Sequence, residues 1–223
     1  MLRPMISIII PCLNAGAALA ATLDSLAAEP EDEDEVLVID GGSSDNSREE
    51  AETKGARFIS SRPGRGRQLM TGAESARGER LLFLHADTHL AKGWREALIG
   101  LTEDQAVVFS LRFDDDNASA RRVARLANWR TRVLGLPYGD QGLGLTRAFY
   151  EKLGGFKPLP LMEDVDMAKR IGKQRMVCSD VTATTSAVRY RRDGWWARPA
   201  KNIGLLTLYH LGVSPERLAR LYR

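Results

Sequence analysis

Residues 80–88 read RLLFLHADT, a mostly apolar run that leads into an aspartate. Such a run is typical of a strand buried in a sheet, and Asp87 follows its carboxyl end. Ligands of open α/β sheets bind at this edge. Because an aspartate is almost never buried unless it is paired or metal-bound, we interpret Asp87 as a metal ligand. The alternative is a cap for a helix that begins near Lys92.

Apolar runs alternate with helical patterns on both sides of this segment. In the first half the alternation predicts βαβ units and a parallel sheet. The second half is less regular, and it ends in a helical segment with Ser214 as a cap and Pro215 in the first turn. We expect one α/β domain with a mostly parallel central sheet flanked by helices. The predicted strands are residues 6–10, 36–39, 57–60, 80–84, 106–113, 143–146, 175–179 and 183–188, and the predicted helices are residues 17–28, 47–54, 68–76, 119–134, 149–153 and 163–171.

The composition is that of an ordinary globular protein. Of the 223 residues, 43% are hydrophobic and 27% are charged, with a formal net charge of +3. No apolar run reaches the roughly 18 residues of a membrane span, and the first residues do not resemble a secretory signal, so we expect a cytoplasmic protein. Cys12 and Cys178 are expected to be buried reduced thiols. No basic stripe is interleaved with aromatic residues, so no nucleic acid partner is expected.

The second predicted strand also ends in an aspartate, Asp40, which is followed by Gly41 and Gly42. One interpretation makes Asp40 a hydrogen-bond acceptor for a base N–H, with glycines that let the ligand approach the backbone. The other makes it an Asx-turn before the next helix. For Asp45, a turn or cap is the better interpretation.

A basic loop, RPGRGR at residues 62–67, follows the third predicted strand. It contains a G-x-G but lacks the third glycine of a dinucleotide loop, since Leu69 stands there, so a nicotinamide site is not favoured. Guanidinium groups beside a helix start can bind a diphosphate. A solvated basic loop is the equally weighted alternative.

Two adjacent acids, Glu163 and Asp164, open a predicted helix, and Asp166 follows. Acidic residues in a first turn complement the helix dipole, which is one explanation for them. The other is catalytic, because a general base must be a carboxylate or a histidine that reaches the acceptor hydroxyl.

In their order along the chain, these segments resemble the family 2 glycosyltransferases with the GT-A fold. The resemblance covers roughly residues 5–190, and the closest similarity is to a compact bacterial subgroup. It implies a Rossmann-like GT-A domain over residues 1–223, with a nucleotide-binding half (1–90), an acceptor-binding half (91–190) and C-terminal helices (191–223).

The resemblance also implies roles for individual residues. Asp164 would be the base, Glu163 would help to orient a substrate, and Asp87 would hold Mn²⁺ or Mg²⁺ on the diphosphate. The sugar or acceptor pocket would be lined by Gly139, Asp140 and Gln141. The donor nucleotide would be bound by Pro11, Asn14, Asp40, Gly41, Arg65, Arg67, Gln68, His85 and Ala86.

The sequence departs from the family pattern at two positions. His85 stands where the family usually has the first aspartate of its D-x-D motif, and a neutral imidazole suits Mn²⁺ better than Mg²⁺ if it ligates at all. Gly41 replaces a second aspartate after the second strand, which removes one anchoring carboxylate.

The expected activity is inverting transfer of a sugar from a nucleoside-diphosphate sugar to an unidentified hydroxyl acceptor. A UDP-sugar is the favoured donor and a GDP-sugar the second choice. Two alternatives stay open: a sugar-phosphate nucleotidyltransferase, whose usual Gly-rich first loop is absent from residues 11–16, and a non-catalytic nucleotide-sugar-binding protein.

The C-terminal segment, residues 189–223, combines aromatic and apolar side chains with many arginines and lysines. The favoured interpretation is a helix packed on the domain or on a subunit partner, which leaves a homodimer open. The alternative is a basic amphipathic helix on a membrane surface, which would place the protein at the inner face of the membrane and favour a lipid-linked acceptor.

Overall fold

A computed structural model describes residues 4–27 and 34–222. The first half alternates strands and helices as predicted: β1 (Ile6–Cys12), α1 (Gly16–Leu26), β2 (Glu35–Asp40), α2 (Ser47–Thr53), β3 (Arg57–Ser60), α3 (Arg65–Ser75) and β4 (Arg80–Phe83). The predicted helix over residues 17–28 ends at Leu26 in the structure, and its last predicted residue lies outside the described ranges.

The second half contains β5 (Thr88–Leu90), α4 (Trp94–Ile99), β6 (Ala106–Phe113), α5 (Ala118–Leu134), β7 (Leu143–Thr146), α6 (Arg147–Lys152), α7 (Glu163–Ile171) and β8 (Met176–Thr185). Helices α8 (Val188–Asp193), α9 (Ala197–His210) and α10 (Pro215–Tyr222) follow, and short 3₁₀ turns lie at Gly139–Gln141 and Lys173–Arg175.

One eight-stranded sheet joins these strands in the order β3-β2-β1-β4-β7-β6-β8-β5. Strands β3, β2, β1 and β4 are parallel, and β6 is parallel to β8, whereas β7 and β5 pair antiparallel. The register pairs Cys12 with Asp40, and Ile9 with Phe83. The carboxyl ends of β2, β1 and β4 therefore meet at one edge, as the parallel pattern requires.

The structure differs from the predicted elements in several places. The short strand β5 was missed, and the two strands predicted over residues 175–179 and 183–188 are one strand, β8, which accommodates a register shift opposite Val108 and Ser110. Helix α3 begins at Arg65 rather than at residue 68, so much of the predicted basic loop is the first turn of a helix.

Helices cover both faces of the sheet. On one face, α1 and α4 contribute buried side chains such as Leu19, Leu23 and Trp94. On the other, α3, α6 and α7 contribute Leu69, Phe149 and others. Each such side chain stabilises the fold by roughly 1.5–3 kcal/mol. Because both faces are covered, ligands have access to the central strands only at their ends.

The C-terminal helices pack on the domain, as the favoured interpretation proposed. Leu205 of α9 and Leu218 of α10 are buried against Met162 and Val165 at the start of α7. No helix in the described part of the chain is both long and apolar enough to cross a membrane. Cys12 is buried, Cys178 is half-buried, and both are free thiols.

Candidate active site

A cleft of about 840 Å³, counted out to its open mouth, lies beyond the carboxyl end of β4. Its size is that of a small-molecule site. Four segments that are distant in sequence supply polar side chains to it: Arg65 from α3, His85 and Asp87 after β4, Asp140 after α5, and Asp164 from α7. The structure thus brings together residues that were given four different predicted roles: base, metal ligand, nucleotide-binding residue and pocket residue.

Asp164 is held in a fixed orientation at the cleft. Its Oδ2 atom accepts a hydrogen bond from the Gly139 backbone N–H at 3.0 Å, and its Oδ1 accepts from the Val165 N–H at 2.8 Å. Both donors are backbone groups, and the N-terminus of α7 favours negative charge. The arrangement fixes the carboxylate at the wall of the cleft, where a bound hydroxyl group could contact it.

A left-handed backbone at Met162 precedes the two adjacent acids, Glu163 and Asp164, whose side chains point in different directions. Met162 has a left-handed backbone, with φ of 68°, at the residue that precedes α7. A non-glycine residue rarely adopts this conformation. After this turn Glu163 points into the protein, where only 1% of its side chain is exposed, whereas Asp164 lines the cleft.

Glu163 forms a buried ion pair with Arg65. The guanidinium Nε of Arg65 donates to Oε1 of Glu163, while the other oxygen, Oε2, is buried without a hydrogen-bond partner in the described structure. Burial raises the pKa of Glu163, and the charge of Arg65 opposes that rise. Arg65 therefore remains cationic beneath the cleft and fixes Glu163 in a positioning role.

His85 contacts the same arginine. Its Nε2 atom lies 3.4 Å from an Nη atom of Arg65. A guanidinium can only donate, so Nε2 is the acceptor and the ring proton sits on Nδ1. Burial first, and then the charges of Arg65 and Arg189, hold the pKa of His85 well below its usual range. The imidazole is neutral, and its Nε2 lone pair faces Arg65 rather than an open metal position.

Asp87 fits the role of a partial metal site. Within the described ranges its carboxylate makes no hydrogen bond, although its backbone carbonyl accepts from the Ser186 N–H at 3.2 Å. The alternative role as a helix cap is wrong, because α4 begins after Gly93. Across residues 4–27 and 34–222, no three acidic, histidine or cysteine groups form a complete cage. A divalent ion commonly takes one or two carboxylates plus substrate phosphate oxygens, and Asp87 suits that pattern.

Asp140 is a second acid with an unsatisfied oxygen. Its Oδ1 is buried with no hydrogen-bond partner among the residues that the structure describes. Burial raises the pKa of Asp140 to about 6; Arg130 opposes the shift, and the negative charges of Asp164 and Asp87 add to it. A buried oxygen without a partner at the wall of a cleft is suited to accept a hydrogen bond from a ligand hydroxyl.

Gln141 and Gln68 require corrections to the predicted binding roles. Gln141 is only 1% exposed. It accepts a hydrogen bond from Thr131 Oγ1 at 2.6 Å and donates one to the Phe109 carbonyl at 3.1 Å, so it links α5 to β6 rather than lining the cleft. Gln68 donates from Nε2 to the backbone carbonyls of residues 12 and 39, at 2.8 and 2.7 Å. It therefore joins β1 to β2 below the surface.

The remaining predicted nucleotide residues lie at the same sheet edge but outside the cleft lining. Both carboxylate oxygens of Asp40 accept from the backbone N–H groups of Gly42 or Ser43, which is the Asx-turn alternative. Contact of Asp40 with a base stays a prediction, as do the roles of Pro11, Asn14, Gly41 and Ala86.

The neighbouring loops are tied together by side chains. Asn14 Oδ1 accepts from the Ser44 N–H at 2.8 Å. Asp45 accepts from the Ser47 N–H at 3.1 Å, which confirms its interpretation as a turn residue. Arg67 is exposed, in contrast to Arg65, because residues two apart on a helix point in different directions. Contact of Arg67 with a diphosphate stays a prediction.

Sequence reasoning missed one wall of the cleft. The C-terminal helices contribute a set of mostly polar and aromatic side chains to it, namely Arg189, Tyr190, Arg198, Asn202 and Tyr222. Their only signal was the basic and aromatic composition of residues 189–223, which was interpreted as a surface for packing or for a membrane.

The protein has the GT-A fold that solved glycosyltransferases share: an α/β sheet with helices on both faces and a polar cleft beyond the carboxyl end of β4. The family model described as glycosyl transferase family 2 matches residues 7–157. The chain belongs to this family.

Two solved structures with similar folds were each matched over 82% of this chain. A mannosyltransferase from Pyrobaculum calidifontis, in complex with GDP-Man and Mn²⁺, has a TM-score of 0.61 at 22% identity over 57% of its own length. Glucosyl-3-phosphoglycerate synthase from Mycobacterium tuberculosis, with Mn²⁺ and UDP, has a TM-score of 0.57 at 23% identity over 72% of its length. At these identities the likeness establishes the fold.

The PGL/p-HBAD biosynthesis glycosyltransferase of Mycobacterium tuberculosis is 40% identical over 97 residues. The match covers 40% of this chain and 38% of that protein, so the chain spans well under half the length of this curated relative.

Proposed function

We propose that this protein is an inverting glycosyltransferase that moves a sugar from a nucleoside-diphosphate sugar to a hydroxyl acceptor. The observation that carries the proposal is the orientation of Asp164. Its carboxylate is fixed by two backbone N–H groups at the cleft that Asp87 and Asp140 also line. Family membership supplies the reaction class, and this geometry supplies a base.

In the proposed reaction the acceptor oxygen attacks the anomeric carbon while Asp164 takes the hydroxyl proton. The bond from the anomeric carbon to the diphosphate oxygen breaks, and the nucleoside diphosphate leaves with the electron pair. Attack from the face opposite the leaving group inverts the anomeric configuration. Asp140 is placed to accept a hydrogen bond from a sugar or acceptor hydroxyl. The ion pair of Arg65 and Glu163 holds the neighbouring wall of the cleft in position.

We propose Mn²⁺ or Mg²⁺ as the cofactor, with Asp87 as its protein ligand. When bound, the ion would supply charge stabilisation to the departing diphosphate. The unbonded carboxylate of Asp87 supports this assignment, as does the presence of Mn²⁺ in both solved neighbours. The contact of His85 with Arg65 argues that His85 keeps the cleft wall in place instead of ligating the ion.

The donor is proposed to be a UDP-sugar, with a GDP-sugar as the second choice. Of the two solved neighbours, the synthase structure contains UDP and the mannosyltransferase structure contains GDP-Man. Family membership favours sugar transfer over the nucleotidyltransferase alternative, and pyrophosphate release from a nucleoside triphosphate and a sugar phosphate would contradict the proposal.

Thermal unfolding with UDP, GDP, CDP, ADP and NAD, each with and without Mn²⁺, tests the proposal. A ligand at 100 times its dissociation constant adds roughly 2.7 kcal/mol, which is visible as a shift in Tm. We expect a shift with UDP or GDP that requires the metal. Asp87→Ala should lose the metal-dependent part, while Asp180→Ala, a change at an exposed carboxylate, should retain it.

A shift that is equal with and without Mn²⁺ would remove the metal role from Asp87. No shift with any diphosphate would contradict donor binding. Binding without donor hydrolysis or transfer to any offered acceptor would support the non-catalytic alternative.

A further inference from the structure

The solvent-facing side of α5 carries an apolar stripe. Leu126, Trp129 and Val133 are 56%, 57% and 41% exposed, whereas Ala120 and Ala127 on the opposite side are buried. At about 100° per residue, the three exposed side chains fall within an arc of about 60°. Single exposed apolar residues are normal on a protein surface, but three on one stripe form a patch that needs an explanation.

Arginines border this stripe. Helix α5 contains five arginines and no acidic residue. Arg130 stacks on Tyr138 at 3.6 Å. Arg122 and Arg125 are exposed one helical turn before Leu126 and Trp129, respectively, and neither forms an ion pair with any residue in the described part of the chain. Arg132 pairs with Asp180 at 2.7 Å, and both side chains are more than half exposed. The outer face of α5 is therefore both apolar and cationic.

The combination of apolar side chains and arginines indicates which kind of partner binds the outer face of α5. A helix with aromatic and aliphatic side chains on one face, flanked by arginines, lies in the interface of an anionic membrane. A second copy docked through the same face would place arginines against arginines, which is unfavourable. We propose that α5 docks this protein on an anionic lipid surface, with Leu126, Trp129 and Val133 in the interface and Arg122 and Arg125 at the head groups.

The docking helix is continuous with the cleft. Helix α5 ends at Gly135, and Tyr138, Gly139 and Asp140 line the cleft immediately afterwards. The contact of Arg130 with Tyr138 ties the two together. Docking on a lipid surface is a property separate from sugar transfer. Because its test measures binding to vesicles, the docking proposal can hold even if the transferase assignment fails.

Co-sedimentation with vesicles of phosphatidylglycerol and phosphatidylcholine in equal parts tests the proposal, with pure phosphatidylcholine vesicles as the neutral comparison. The wild type should bind the anionic vesicles, bind less at high salt, and bind the neutral vesicles weakly. The double variant Leu126→Ser/Trp129→Ser should bind at least about tenfold more weakly, a change of about 1.4 kcal/mol. Arg122→Gln and Arg125→Gln should each cost about fivefold.

Trp196→Ser is the matched control, because Trp196 is 55% exposed on the C-terminal segment while Trp129 is 57% exposed on α5. It should bind like the wild type. Circular dichroism and Tm establish that each variant is folded. The proposal is overturned if the wild type ignores anionic vesicles, if the double variant binds normally, or if Trp196→Ser is the change that abolishes binding. Sedimentation equilibrium showing a dimer that needs Trp129 would instead assign the face to a second copy.

Discussion

Asp164 is the residue on which the proposed chemistry depends. Asp164→Asn keeps the size of the side chain but removes the proton acceptor, so turnover should fall by roughly 10²–10⁴ while donor binding is retained. Initial rates with saturating donor, together with nucleotide-induced shifts in Tm, separate the two effects.

Asp166→Asn is the control for this change. Asp166 lies in the same helical turn but pairs with Lys157 and Arg170, outside the cleft lining. This variant should lose stability and keep its turnover. Full activity of Asp164→Asn would exclude Asp164 as the base.

Asp140 should make stability depend on pH. Its folded pKa of about 6 lies above the ordinary aspartate value of 3.8, so the folded state binds the proton more tightly than the unfolded state. The ionised form is therefore destabilising above pH 6, and that cost disappears as the pH falls below about 4. Without ligand, Asp140→Asn should be more stable than the wild type by about 1–3 kcal/mol at pH 8 and equally stable near pH 4.

Urea unfolding of both proteins across this pH range gives the comparison. A difference in stability that is constant with pH would show that the Asp140 carboxyl does not titrate abnormally.

At the residue scale, the sequence predicted the positions of the acids in the cleft better than it predicted their surroundings. Asp87 follows the end of a strand, and Asp164 lies at the start of a helix. Both positions can be recognised from the local sequence pattern. Burial keeps the imidazole of His85 neutral, and Arg65, 20 positions away, adds to that effect. The contact has no local sequence pattern, because Arg65 lies in the first turn of α3, which begins earlier than predicted. The resemblance implied a pocket role for Gln141 beside Asp140, but successive residues of a 3₁₀ turn point about 120° apart, and Gln141 is buried.

Among the elements, the 3₁₀ turn at Gly139–Gln141 connects Asp140 in the cleft with Asp164, the proposed base. A Cβ atom on Gly139 would lie 2.5 Å from His85 Nε2. Gly139→Ala must therefore displace the imidazole or the turn, and with it the hydrogen bond from Gly139 to Asp164. We expect a destabilisation of about 1–3 kcal/mol and a loss of turnover larger than the loss of donor affinity.

Gly204→Ala is the opposite case. Gly204 lies inside α9, and no described atom lies within 4 Å of the position that an alanine Cβ would occupy. Alanine should therefore stabilise the protein by about 0.5–1 kcal/mol. Denaturant midpoints and steady-state kinetics of the two variants test the contrast. Normal turnover in Gly139→Ala would contradict the coupling of this turn to Asp164.

The elements that were predicted well are those with a strong local pattern. The β-branched run of β1 and the helical pattern of α5, predicted over residues 119–134, are examples. Strand β5 has three residues and only one partner strand, β8, within the described sheet, so its pattern is too short to recognise. The start of α3 was hidden because Pro63 and Gly64 precede it and glycine at position 66 is a poor helix former.

For the molecule as a whole, the C-terminal helices depend on one small apolar cluster. Leu218 is fully buried against the start of α7, apart from the two large clusters on the sheet. Leu218→Ala should cost about 2–5 kcal/mol of local stability. Because the cluster is separate, we expect α9 and α10 to undock before the sheet unfolds. Hydrogen exchange should then accelerate in residues 197–222 and remain slow in β1.

Leu211→Ala, at a residue that is 76% exposed, is the control and should leave exchange unchanged. Uniform acceleration across the whole chain in Leu218→Ala would show that the C-terminal helices and the sheet unfold as one unit.

The architecture of the whole molecule could be predicted only in part. The class of fold and the first four parallel strands follow from alternation along the chain. The wall of the cleft formed by α8–α10 follows from contacts between residues that are more than 100 positions apart, such as Tyr222 and Arg65, which line the same cleft. Composition alone does not say which surface a basic, aromatic segment packs against.

The position of β8 in the sheet has a consequence for biosynthesis. Strand β5 joins the sheet only through β8 in the described structure, and the Asp87 carbonyl accepts a hydrogen bond from Ser186 just beyond β8. On a ribosome that adds about 5–20 residues per second, β8 emerges roughly 5–20 s after β5. During that interval the strands before Asp87 can already pair, and Thr22 of α1 can already donate to the Ala86 carbonyl, but the described strand that pairs with β5 has not yet emerged. A nascent chain would therefore form the sheet edge at β1, β2 and β4 early and complete the cleft only after α8–α10, which supply one of its walls, have emerged.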